Sequence, residues 1–246
     1  MSTPSPGRRT FLISSLSTLF ACTAAIASAS PFIISGDGEQ WSSTLPAVCA
    51  QAGIAAASCS GTTVAINAHP LWMDASLTTP LASWVSYANT GYGGTVLAPR
   101  AGDAVNPDGH TPIIDISESF IGQAGTPFSV RFWADDTLDV YLNGLLVRSA
   151  VFGQNICADG PIGCEPNEYW DLNALSTGGI DTIRMVAYQV GSGGDPSSNP
   201  FGVLYSGRYE PGAERQSVPE PATLSLLAMG AAGLGYRSRR KKQPTV

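Results

Sequence analysis

Residues 128–147 hold the pattern that most restricts how this 246-residue chain can fold. Phe128, Val130 and Phe132 alternate with Ser129, Arg131 and Trp133, and Leu138, Val140 and Leu142 alternate with Asp139, Tyr141 and Asn143. A period of two places alternate side chains on opposite faces of a strand, whereas a helix repeats every 3.6 residues. Asn143-Gly144 is the strongest short hairpin signal, because a type I′ turn needs positive φ at both central residues. Ala134-Asp135-Asp136-Thr137 supplies turn residues between the two runs, so a three-stranded meander ending in residues 145–147 is expected. Further strands are expected at 62–68, 82–87, 112–120, 182–190 and 201–209, with Gly202 and Gly207 as bends. Ile114 and Ile116 would share a face. A short helix is expected within 48–58. Short strands separated by turn signals indicate an all-β sandwich.

The charge is unevenly spread. Charged residues make up 13% of the chain, about half the usual share. Residues 30–217 contain no lysine and set six arginines against eighteen acids, a net charge of −12. The remaining basic residues sit at the two tips. An acidic centre argues against nucleic-acid binding, which needs a basic footprint.

The tips read as addresses. Arg8 and Arg9 precede an uncharged run that closes at Ala27-Ser28-Ala29, so residues 1–29 have the order of a signal peptide. Arg8-Arg9-Thr10-Phe11-Leu12 leaves twin-arginine export open beside the general route. At the other end, Val218-Pro219-Glu220-Pro221 is followed by an uncharged stretch, 222–236, and then by Arg237, Arg239, Arg240, Lys241 and Lys242. Fifteen residues of helix span about 22 Å, short for a hydrocarbon core of about 30 Å. The basic cluster would stay cytoplasmic and leave the domain outside. This order of motif, apolar segment and basic cluster resembles the PEP-CTERM sorting signal. The resemblance implies processing by an exosortase and a Gram-negative bacterium that makes exopolysaccharide. The chain would be held briefly in the inner membrane before reaching the cell surface or matrix. The organisation expected is a signal peptide at 1–29, a β-sandwich at 30–212, a linker at 213–217 and a sorting signal at 218–242.

The middle also resembles the galactose-binding-like jelly roll. The residues that carry this are Trp72, Trp84, the run from Phe128 through Ala134-Asp135-Asp136 to Val140-Tyr141-Leu142-Asn143-Gly144, and the strand around Ile183-Arg184-Met185. The pattern marks a fold and does not mark a ligand.

Four cysteines remain after export: Cys49, Cys59, Cys157 and Cys164. They allow three pairings. The local one, Cys49–Cys59 with Cys157–Cys164, is favoured because each pair closes a short loop rich in Gly, Ala, Ser or Pro. An oxidising compartment preserves such bridges.

Two kinds of site merit testing. Sugar rings stack on aromatic faces while charged side chains bond their hydroxyls, which nominates Trp133, Tyr141, Tyr169 and Trp170 with Arg131 and Asp139. The competing reading is that these aromatics are core. Calcium would want clustered carboxylates, which nominates Asp135, Asp136 and Asp139, with Asp37 and Glu39. The competing reading is a turn whose acids bond backbone N–H groups. No G-x-S-x-G or H-E-x-x-H motif occurs, and only His69 and His110 are present, so the expectation is a non-enzymatic surface or matrix protein. Its role would be structural or adhesive on exopolysaccharide. A carbohydrate-binding module is the alternative, and a paired-carboxylate glycosidase the lesser one.

Overall fold

The computed structural model describes residues 31–153 and 162–212. The expected signal peptide, linker, sorting segment and Cys157 lie outside the described residues. Among the described residues, twelve strands and one short α-helix are arranged as β1 (Phe32–Ile34), β2 (Gln40–Ser43), α1 (Pro46–Gln51), β3 (Cys59–Thr62), β4 (Val64–Ala65), β5 (Val85–Ser86), β6 (Pro112–Phe120), β7 (Pro127–Asp135), β8 (Thr137–Leu142), β9 (Leu145–Arg148), β10 (Trp170–Leu175), β11 (Asp181–Tyr188) and β12 (Gly202–Arg208), with a 3-10 turn at Ala75–Leu77. They form two antiparallel sheets. The first has the order β10-β7-β12-β5-β4, with β1 also on β12, and the second β3-β2-β6-β11-β8-β9. From β6 onward the chain passes repeatedly between the sheets, which makes the sandwich a jelly roll.

The alternation read from the sequence builds the core. Phe128, Val130, Phe132 and Ala134 of β7 pack with Val203 and Tyr205 of β12 against Ile114 and Ile116 of β6, Ile183 and Met185 of β11, and Leu138 and Val140 of β8. The Asn143-Gly144 hairpin forms as expected, with φ of 51° and 81°. The meander does not. β7 belongs to the first sheet and β8 to the second, so residues 134–137 carry the chain across the sandwich instead of turning it back. Both strands alternate, and alternation does not say which sheet a strand joins.

Other differences have local causes. Gly202 and Gly207 lie within β12. A Cβ at Gly207 would sit 2.7 Å from Val130 Cα, so this glycine permits close strand approach and makes no bend. Residues 62–68 split between β3 and β4 around Thr63, whose hydroxyl donates to Gly36 O and accepts from Glu39 N. β1, β2 and β10 carry too few residues of clear period to stand out in the sequence.

Cys49 at the end of α1 is bonded to Cys59 at the start of β3. Cys164 is also disulfide-bonded.

One inward position is occupied by an acid. Ile114, Ile116, Glu118 and Phe120 follow one another on the inner phase of β6. Continuing the Trp41–Ile116 register places Glu39 opposite Glu118. Tyr205 Oη donates to Glu118 Oε1 at 2.7 Å from the other sheet. Burial, reinforced by the neighbouring Glu39 carboxyl, pushes Glu118 from its ordinary value of 4.5 up to about 8.

Two predictions follow from this architecture. Replacing Cys49 and Cys59 together by serine should lower the unfolding free energy by about 2–3 kcal/mol, because the loop they close is short. Urea titration of the oxidised protein and the variant checks this. The native state also holds a proton on Glu118 that the unfolded chain has released above pH 4.5. That contribution is complete below pH 4.5 and fades as pH rises toward about 8. Glu118→Gln should therefore flatten the stability profile between pH 4.5 and 8 and gain about 1–3 kcal/mol at the alkaline end. An unchanged slope in pH-dependent urea titrations would contradict it.

Candidate functional site

The outer face of the first sheet is divided. Over its upper half the excursion between β4 and β5, residues 66–84, folds back and builds a second small core. Trp72, Trp84, Trp133, Leu204, Ala82 and Cys164 are buried there. Trp72 and Trp84 lie 4.2 Å apart between ring centroids. Trp84 Nε1 donates to Met73 O, and Trp72 Nε1 to Asp135 Oδ2 at 2.9 Å. Over the lower half the excursion stands away from the sheet. A cleft of about 450 Å³ opens there between Met73, Leu77, Thr78 and Thr79 on one wall and Ser129, Arg131, Ser206 and Arg208 on the floor. That volume is within the range of small-molecule sites.

Arg131 is the centre of this cleft. Its Nε and Nη2 donate to the two carboxylate oxygens of Asp171 at 2.8 and 3.1 Å. The register Asp171–Arg131 makes this a cross-strand pair between β10 and β7. The guanidinium lies 3.8 Å from the Tyr169 ring centroid and 5.9 Å from that of Trp133. The Asp171 hydrogen bonds, above all, hold the Arg131 pKa above its ordinary value, so the charge is fixed at every working pH. Tyr169 is 38% exposed. Trp133 lines the cleft but is only 2% exposed, and its indole N–H has no hydrogen-bond partner among the described residues.

The residues nominated for sugar recognition therefore separate. Arg131, Trp133 and Tyr169 come together on the first sheet. Trp133 is a filler of the second core and offers no free ring face. Trp170 points the other way and stacks on core Phe132 with centroids 5.9 Å apart. Tyr141 and Asp139 lie on β8, on the outer face of the opposite sheet. Arg184 covers the Tyr141 ring at 4.8 Å and is bound to Asp115 at 2.6 Å. Asp139 accepts from Ala150 N and Tyr188 Oη, which bind down the segment after β9. Asp171 was not singled out in the sequence, although it sits on the polar phase of Trp170-Asp171-Leu172-Asn173.

The acids nominated for calcium are dispersed. Asp135 and Asp136 are buried at the corner between the sheets. Asp136 Oδ2 accepts from Val190 N and Gly191 N at 2.6 and 2.7 Å. Burial, then the adjacent Asp136, drives the Asp135 pKa well above its ordinary value. Asp37 accepts from Ala65 N at the sheet edge, and Glu39 faces Glu118. Among the described residues no three His, Cys, Asp or Glu side chains gather to hold a metal.

Comparison with known proteins bears on the C-terminus. Residues 217–241 match the family model described as the PEP-CTERM protein-sorting motif. The chain ends in a PEP-CTERM sorting motif. The motif begins five residues beyond Gly212, where the described β-sandwich stops. No curated protein matches the chain significantly. A family 35 carbohydrate-binding module from Clostridium thermocellum is similar in structure at 8% identity and a TM-score of 0.33, over 74% of this chain and 99% of the module. A beta-glucosidase from Kluyveromyces marxianus is similar at 12% identity and a TM-score of 0.29, over 38% of this chain. The match spans about a tenth of the length of that enzyme, 11%. Among the described residues no helix is long and apolar enough to cross a membrane.

Trp133 should behave as a core residue. Trp133→Ala is expected to cost about 3–5 kcal/mol of stability. Tyr169→Ala, at an exposed ring, should cost less than about 1 kcal/mol. Chemical denaturation of both variants checks the ranking.

Proposed function

We propose that this is an exported, non-enzymatic surface protein. Its C-terminal signal is processed by an exosortase, and the β-sandwich is delivered to the exopolysaccharide layer of a Gram-negative bacterium, where its role is structural or adhesive. The PEP-CTERM match, which begins five residues beyond the sandwich, carries this reading. In it, residues 222–236 hold the chain in the inner membrane and the basic cluster from Arg237 stays cytoplasmic.

A second reading, glycan recognition, is favoured by the Arg131 cleft. The Asp171 bond fixes the guanidinium plane and leaves Arg131 with further N–H donors. Tyr169 packs its ring against the guanidinium, and Thr78, Thr79 and Ser129 line the cleft with polar groups that suit sugar hydroxyls. Calcium, exopolysaccharide and other cell-surface glycans remain the ligands to be screened.

Glu220→Ala with Pro221→Ala should abolish processing, so that full-length chain accumulates in the membrane fraction of an exosortase-bearing host. Unaltered processing in that variant would overturn the sorting reading. On a glycan array, Arg131→Ala or Tyr169→Ala should weaken any binding about tenfold, or 1.4 kcal/mol. If the wild type binds no glycan, the second reading falls and the structural one stands.

A further inference from the structure

The two ends of the sandwich differ in chemistry. One end is formed by segments 117–127, 142–146, 174–183 and 207–212. It is tied together by Gly212 N donating to Ile121 O, Gln123 N to Glu210 O, Gly125 N to Ser176 O and Thr182 N to Asn143 Oδ1. Ile121, Leu145, Leu175 and Ile180 project from it, between 52% and 71% exposed. Phe32 lies beside it, because β1 pairs Phe32 with Arg208.

Exposed charge here is small. Glu118 points inward. Asp181 is buried, with bonds from Asn143 Nδ2, Ser176 Oγ and Thr177 N. Arg208 and Glu210 remain exposed and cancel. The opposite end, segments 99–111 and 189–200, carries Asp103, Asp108 and Asp195 against Arg100 and His110. In a domain of net −12, the near-neutral end is the unusual one.

The described part of the sandwich both begins and ends at this end. Tyr209 N donates to Pro31 O, and Gly122 bridges Pro211. From Gly212, six peptide steps reach Val218, the first residue of Val-Pro-Glu-Pro, and six steps extend at most about 21 Å. The apolar end is therefore tethered close to the point where the sorting segment starts.

We propose that this end of the sandwich, through Ile121, Leu145, Leu175 and Ile180, rests on the lipid surface of the membrane that holds the sorting segment. The inference builds on the membrane-held precursor of the preceding section. Apolar side chains flanked by hydroxyl and amide groups, with no net charge, suit the boundary between headgroups and acyl chains. An anionic lipid surface would repel the opposite, acidic end. The unprocessed domain then stands upright, with segments 99–111 and 189–200 farthest from the bilayer.

The test uses the full chain in vesicles of phosphatidylethanolamine and phosphatidylglycerol. An environment-sensitive fluorescent amino acid is placed singly at position 121, 145, 175 or 180, with position 105 at the far end as control. Lipids carrying a headgroup nitroxide should quench the four tip probes at least about threefold more than the control. Leu175→Asp with Ile180→Asp, both at exposed positions, should bring quenching at 145 down to the control level. If the chain floats with the vesicles but tip and control probes quench alike, the tip proposal fails and membrane anchoring stands. If the chain does not float at all, both fail. A tip spectrum shifted to the blue without lipid quenching would mean that another protein surface or a second copy covers it, and would overturn the proposal.

Discussion

Two consecutive aspartates hold the sandwich together where the chain changes sheets. β7 ends at Asp135 in the first sheet and β8 begins at Thr137 in the second. Leaving a sheet exposes backbone groups that the ladder would have satisfied, and here buried carboxyls bind them. Asp136 gathers the N–H groups of Val190 and Gly191 as β11 ends. Asp135 accepts the Trp72 indole N–H and thereby anchors the excursion that covers the upper outer face. An unpaired buried carboxylate costs far more than a paired one, so corner, β11 exit and tryptophan cluster stabilise one another.

The cleft depends on that anchoring. Because the excursion is pinned at Trp72 and Trp84 and Ser206 Oγ bonds Pro80 O, its middle part overhangs the sheet and leaves the Arg131 row open. The Arg131–Asp171 pair is a property of the β10–β7 register, whereas the wall at Met73, Leu77, Thr78 and Thr79 belongs to a loop. Floor and wall can thus vary independently. A changed wall would alter what fits the cleft without disturbing the sheet.

Much of the fold was legible because burial on one face leaves a period of two. β6 was expected at 112–120 and forms there, and β8, β9, β11 and β12 fall within two residues of their expected limits. The sheet to which each strand belongs was not legible, because β7 and β8 alternate equally well while facing each other across the core. That ambiguity carried into the site. Arg131 and Trp133 share a strand phase with each other, and Tyr141 with Asp139, but the two pairs lie on opposite outer faces. Burial of Trp133 was hidden for a similar reason: its cover comes from residues 66–84, far away in sequence. The pairing of Glu118 with Glu39 depends on the β2–β6 register, and Gln40–Ser43 is too short to announce itself as a strand.

The attachment of the tail to β12 has a mechanical meaning. β12 is the last strand of the domain and an inner one, bonded along seven residue pairs to β7 and along three to β1. It runs toward the end from which the sorting segment leaves. A pull on the chain beyond Gly212 is directed along β12, parallel to its length. The ladder bonds on both sides are then loaded together in shear, and none can be peeled open one at a time. The domain therefore resists best a force applied through this strand.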